Sequence, residues 1–238
     1  KALKAMCYFD LLRLYGPRYS ADNLLKEGII LKNRLELDFL PRSTVEDCVT
    51  EIEKLLTEAA AVQNSDAEVF YLSTGAVKAL QAEFELWRGN YGKVVEIGLP
   101  LLEGAESRWT KSSYEALWSA NDSDDRLFAP YIFDYFYRDL CYDKESGDYF
   151  VLNPALSFEE SDARSQWACY NIEMNGNAVV TLGKYNRMYY DNISVRYINT
   201  LRYSGVCFTV AEAYARDDAP DKAVELVNMF LKTYGAGV

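Results

Sequence analysis

Histidine is absent from the 238 residues. With it go Ser/His/Asp and Cys/His catalysis, imidazole general-base chemistry and every His-ligated metal site. An enzyme written in this text would have to work with carboxylates, Lys, Tyr or Cys. No run of 18 or more apolar residues occurs, so no segment reads as a membrane-crossing helix. Cysteine is sparse: Cys7, Cys48, Cys141, Cys169 and Cys207 are odd in number, scattered and without a CxxC pair, which argues against a zinc ribbon or a dense disulfide framework. Cys7, Cys48 and Cys207 fall among apolar residues of helical text and read as buried free thiols. Basic residues are also short, 25 against 36 acidic ones. The net charge of −11 repels phosphate backbones and anionic headgroups, and no nucleic-acid partner is expected.

Aromatic residues are abundant instead. Nineteen Tyr, 11 Phe and 4 Trp make up 14% of the chain, and Tyr supplies both a flat apolar face and a hydroxyl. Apolar residues at 50% and charged ones at 26% are otherwise those of an ordinary folded domain.

The clearest periodicity runs from Ser43 to Val62. Val45, Cys48, Val49, Ile52, Leu55, Leu56 and Ala59 recur on one helical stripe, and Ser43 with Glu46 three residues on predicts a reciprocal cap at its start. Lys1 to Tyr15 is apolar nearly all round and predicts a helix packed on several sides, stopped by Gly16 and Pro17. The chain therefore reads as beginning inside a helix, with any targeting signal trimmed or lost. Tyr71 to Trp87 and Lys93 to about Leu99 flank a short break and predict an antiparallel helical hairpin. Val206 to Arg216 and the segment from Pro220 to Tyr234 predict another, with Ala223, Leu226, Val227, Phe230 and Tyr234 facing inward and Pro220 in the first turn. The two hairpins share a rough local text, WRGNYGKVVEI against ARDDAPDKAVEL, as tetratricopeptide-like helix pairs would, without a strict period.

Between them the pattern changes. Tyr131 to Tyr137 and Asp148 to Leu152 flank a Lys144-Glu145-Ser146-Gly147 turn, and Trp167 to Met174, Asn175-Gly176 and Asn177 to Leu182 form a hairpin signature. The prediction is one mainly helical domain over 1–238: a scaffold of about 1–105 and 200–238 carrying a loop-rich, aromatic insertion with short β-hairpins at about 106–199.

KALKAMCYFDLLRLYG is similar to the opening scaffold helix of the SusD/RagB family of outer-membrane nutrient-binding lipoproteins. LPRSTVEDCVTEIEKLLTEA and STGAVKALQAEFELWRGNY resemble the segments that follow it there. SYEALW, SDAR, GKY and AEAYAR followed by KAVELVN then occur in the family's order. The resemblance implies a right-handed superhelical stack of tetratricopeptide-like pairs and a non-catalytic role. That role is capture of an oligosaccharide, or in some relatives a peptide, for delivery to a SusC-like TonB-dependent transporter in polysaccharide utilization. It implies the outer-membrane surface, reached only through a lipid anchor not present in this text.

A sugar offers flat C–H faces ringed by hydroxyls, so a site needs ring platforms beside short polar side chains. The insertion supplies such sets: Tyr135, Tyr137 and Tyr142 with Arg138 and Asp139, and Tyr185, Tyr189 and Tyr190 with Arg187, Asp191 and Asn192. The candidate ligand-binding residues are Tyr142, Trp167, Tyr185, Arg187, Tyr189, Tyr190 and Asp191; Trp87 and Trp118 read as core. Asn121-Asp122-Ser123-Asp124-Asp125 spaces oxygens like a calcium loop, but Arg126 stands where Gly is needed and Ile132 where Glu is needed, which leaves a solvated acidic loop. Glu159-Glu160 and Asp217-Asp218 read as solvated pairs rather than a glycosidase dyad. No cofactor or metal is expected. A helical adaptor for a peptide or protein partner, and a ligand-free structural subunit of a transporter complex, are the alternatives.

Overall fold

The computed structural model describes residues 1–37, 39–64, 68–118, 122–132, 142–143, 148–149, 153, 162, 165, 169–174, 176–182 and 196–233. Helices dominate them. They are α1 (Ala2–Tyr15), α2 (Val45–Ala60), α3 (Thr74–Arg88), α4 (Tyr91–Gly98), the short α5 (Ala105–Arg108) and α6 (Lys111–Leu117), α7 (Tyr203–Arg216) and α8 (Pro220–Thr233). α1 packs on α2, α3 on α4 and α7 on α8, and α3 joins the pairs by touching both α1 and α7.

Local chemistry sets the ends of these rods. α2 buries its predicted stripe, Val45 through Leu56, but its cap is Thr44 rather than Ser43. The Thr44 hydroxyl accepts from the Asp47 amide at 3.1 Å and donates to the Asp47 carboxylate at 2.7 Å. Ser43 is unavailable because its backbone pairs with Gly28 and Ile29 across a strand-like turn, which displaces the helix start by one residue. α3 begins at Thr74, later than its periodicity suggested, where Ser73 accepts from the Ala76 amide. It ends at Gly89, whose φ of +81° suits a residue without Cβ. The Gly89 and Asn90 amides then satisfy the Leu86 and Glu85 carbonyls. Pro220 opens α8 as predicted. α4 and α7 approach so closely at Gly98 that a Cβ there would lie 2.6 Å from Val210 Cγ2.

The core runs continuously through the pairs. Phe9, Phe84 and Trp87 meet edge to face or stacked with centroids 5.3–6.2 Å apart, and Trp109 meets Phe230 at 5.4 Å. Trp118 is buried, as expected, and Trp87 is partly so. Two sequence expectations fail here. α1 buries a single stripe of Ala5, Tyr8, Phe9 and Leu12, which faces α2 and α3, and exposes Leu3, Leu11, Leu14 and Tyr15. Cys7 lies on that open side and is exposed, whereas Cys48 and Cys207 are buried free thiols.

The predicted irregular region begins with order. Residues 105–117 form α5 and α6, the latter opened by a capping box between Thr110 and Ser113 that its polar text concealed. The chain then leaves the helices along β1 (Arg126–Phe128) and β2 (Tyr131–Ile132). It returns along β7 (Arg196–Tyr197) and β8 (Leu201–Arg202), paired antiparallel with Phe128 opposite Leu201 and Tyr131 opposite Tyr197. Beyond this two-stranded stalk, β3 (Tyr142–Asp143) pairs with β4 (Asp148–Tyr149). β5 (Cys169–Met174) pairs with β6 (Asn177–Leu182) in the register a two-residue Asn-Gly turn requires, Met174 opposite Asn177 and Gly176 at φ +80°.

Candidate functional site

The stalk is held to the helices by two adjacent buried charges. Asp125 is fully buried and accepts from Trp109 Nε1 at 3.0 Å, from the Ser204 amide at 2.7 Å and from the Ser204 hydroxyl at 2.7 Å. Its own carbonyl accepts from the Tyr203 amide. Asp125 thus caps the N-terminus of α7 from 79 residues away, placing negative charge where the helix dipole favours it. Arg126 does the converse. It donates from its Nη2 atom to the carbonyls of Ala116 at 2.7 Å and Leu117 at 3.1 Å, which end α6, and from Nε to Asn199 Oδ1 at 2.8 Å. The acidic run read from sequence as a solvated loop therefore corrects in part: Asp122 and Asp124 are exposed, but Ser123 and Asp125 are buried, the Ser123 hydroxyl donating to the Ser113 carbonyl. Burial raises the pKa of Asp125 despite its donors, which pull the other way.

Beside this clamp a cleft of about 590 Å³ opens at the foot of the stalk. Arg108 lies 4.2 Å from the centroid of the Tyr203 ring and Arg126 4.5 Å from that of Tyr197, so each ring is backed by a guanidinium. Glu68, Asp122 and Asp124 complete the wall with carboxylates. Rings and planar polar groups side by side are the pairing that saccharides require.

A separate cleft of about 620 Å³ lies between α1, α3 and α7. Its rings are Tyr19, Trp87 and Tyr91, with Tyr19 and Trp87 5.3 Å apart. Its charges are Arg13, Arg18, Arg88 and Arg216 with Glu83 and Glu212. Burial raises the pKa of Glu83, offset in part by Arg13. Among the described residues no group of His, Cys, Asp and Glu could hold a metal ion, and no helix is long and apolar enough to cross a membrane.

Of the residues singled out from sequence, Tyr142 lies on β3 opposite Tyr149. Trp167, Tyr185, Arg187, Tyr189, Tyr190 and Asp191 fall outside the described residues, as do Tyr135, Tyr137, Arg138, Asp139 and Asn192. Sequence reasoning missed both clefts. A signal for the second existed: Glu83 shares the face of α3 that carries Ala76, Leu80 and Trp87, and a carboxylate on an apolar stripe marks an opening.

No protein-family model and no curated protein matches the chain. Solved structures do. A sugar binding protein from Bacteroides vulgatus superposes with a TM-score of 0.76 at 22% identity, covering 98% of this chain and 56% of its own. A SusD-like carbohydrate binding protein from the same species gives 0.77 at 18% identity, covering 100% and 54%. A SusD superfamily protein from Bacteroides thetaiotaomicron gives 0.73 at 18%, covering 98% and 57%. The chain spans a little over half the length of each. From α1 to α8, stalk included, its fold is that of the SusD-like proteins.

Proposed function

We propose that this chain binds oligosaccharide at the cell surface without transforming it, and passes it to a SusC-like TonB-dependent transporter in the outer membrane. The observation that carries the reading is the likeness, over nearly the whole of this chain and a little over half of theirs, to proteins described as sugar and carbohydrate binding. Two features support it. The stalk is fixed to the helices by the buried Asp125 and Arg126, so whatever the insertion carries is presented on a rigid base. The insertion text itself is rich in rings interleaved with polar side chains, and we assign ligand contact to Tyr142, Trp167, Tyr185, Arg187, Tyr189, Tyr190 and Asp191. The protein is membrane-associated, in this reading, through a lipid anchor.

Calorimetric titration and affinity electrophoresis against plant, host and microbial glycans test the proposal. At least one glycan class should bind and be recovered at its original length. Glycans uniformly inert, with a peptide or a partner protein bound instead, would replace this reading by that of a helical adaptor.

A further inference from the structure

We propose that the cleft between α1, α3 and α7 is a second saccharide subsite, separate from the insertion, that takes the vicinal hydroxyls of a neutral glycan between Glu83 and Arg18 with a sugar face against Trp87. The proposal rests on the glycan-binding reading for the class of ligand and on the cleft for its place. The argument starts from charge accounting. Three of the four cleft arginines carry an ion pair within the protein, Arg13 with Asp10 at 2.7 Å, Arg88 with Glu85 at 3.1 Å and Arg216 with Glu212 at 2.7 Å, although the buried Nε of Arg88 has no hydrogen-bond partner among the described residues. Arg18 is different. Its guanidinium makes no ion pair or side-chain hydrogen bond among the described residues, although it lines the same cleft.

Glu83 is its counterpart. It sits mid-helix on α3, half-buried, on the wall of the cleft, with no hydrogen bond or ion pair among the described residues. A carboxyl held in such a place without a donor costs free energy unless something completes it. Burial lifts its proton affinity, and the charge of Arg13 offsets the lift only in part. The cleft thus offers an acceptor, the half-buried Glu83 carboxyl, and a solvent-exposed donor, the Arg18 guanidinium. Neighbouring hydroxyls on a sugar, each able to donate and accept, match that pair, whereas a free anion would meet Glu83 and a free cation would meet Arg18.

The rings complete the match. Trp87 is only partly buried and is braced by Phe9, Phe84 and Tyr19, so its orientation is fixed before any ligand arrives. Thr200 and Thr209 add hydroxyls to the wall, and the volume lies in the range of small-molecule sites, roughly 300–1,000 Å³. α1, α3 and α7 frame the cleft, with Arg18 and Tyr19 from the turn after α1, Tyr91 from the start of α4 and Thr200 from the stalk.

Tryptophan emission separates the two sites. Trp109 and Trp118 are buried in the core, which leaves Trp87 to report on the cleft and Trp167 on the insertion. The full chain, Trp87→Phe and Trp167→Phe are titrated with maltohexaose, xylohexaose and mannohexaose, with circular dichroism to establish folding. Arg18→Ala and Glu83→Gln are titrated calorimetrically with the same probes. The proposal expects a glycan-induced emission change that survives in Trp167→Phe, where Trp87 alone reports, and one reduced in Trp87→Phe to the response of Trp167, with binding at the cleft weakened about tenfold or more by Arg18→Ala and by Glu83→Gln. An emission change confined to Trp167, with both polar variants within twofold of the parent, overturns the cleft and leaves the insertion reading standing. No response or heat with any probe overturns the cleft as a site for these glycans; binding of other glycan classes in the wider panel would then keep the insertion reading alive. Should Trp87→Phe fail to fold, the two polar variants decide alone.

Discussion

Replacing Asp125 by Ala should be among the most damaging single changes available in this fold. The substitution strips the acceptor from three donors at once: the indole N–H of the fully buried Trp109, the Ser204 amide at the start of α7, and the Ser204 hydroxyl. A buried donor left without a partner costs about 1–3 kcal/mol, and the three losses overlap, so the sum is about 3–5 kcal/mol. For a chain of this size each kcal/mol lowers the unfolding midpoint by about 2–4 °C, giving a drop of about 10 °C. Asp125→Asn should lose far less, about 1 kcal/mol, because the amide oxygen serves Trp109 and the Ser204 amide while its nitrogen donates to the Ser204 oxygen. The pH dependence has a definite sign. Burial raises the Asp125 pKa above its ordinary 3.8, so the folded protein holds that proton more tightly than the unfolded chain. The parent therefore loses stability relative to Asp125→Asn as pH rises from about 3.8 through the folded value, and the difference is constant above it. Thermal and urea unfolding followed by circular dichroism measure all three proteins. Asp125→Ala within about 1 kcal/mol of the parent, or Asp125→Asn as unstable as Asp125→Ala, would refute the capping role.

Gly98→Ala would drive a methyl group into Val210 where α4 meets α7, at an expected cost of about 1–3 kcal/mol in urea unfolding; an unchanged midpoint would mean the two helices part at no cost. Cys7 is exposed, whereas burial pushes the Cys207 thiol up to about 12, so a thiol reagent at neutral pH should label Cys7 at once and Cys207 only when the protein unfolds. Peptide mapping of the labelled chain reads the order, and early labelling of Cys207 would contradict its burial.

The helical half of the fold was legible because its information is local. The stripe of α2, the stop at Gly16, Pro220 in the first turn of α8 and the Asn-Gly signature between β5 and β6 are each written within a few residues of where they act. What escaped was written at a distance. Asp125 reads as one acid in a polar run, and only the arrival of Ser204 from 79 residues away makes it a cap. Arg126 and Asn199 close α6 together across 73 residues, and no local pattern announces the pairing of β1 with β8. α1 misled for a related reason: a sequence shows how much of a helix is apolar, whereas its neighbours decide how much is covered, and Leu11 and Leu14 stay exposed. The ring-rich text of the insertion suggested where sugar would be held, but the spacing of rings along a strand or loop does not say which of them converge. The three-helix cleft was hidden in scaffold text, with Glu83 its one discordant letter.

The most direct test of the account is calorimetric titration of the parent, Trp167→Ala and the Tyr189→Ala/Tyr190→Ala double variant with whichever oligosaccharide the parent binds most tightly. Each lost ring platform should weaken binding by about 1–2 kcal/mol, roughly five- to thirtyfold, with the helical signal and unfolding midpoint unchanged and the sugar recovered intact. Parental affinity in both variants, or cleavage of the sugar during titration, would contradict capture by the insertion.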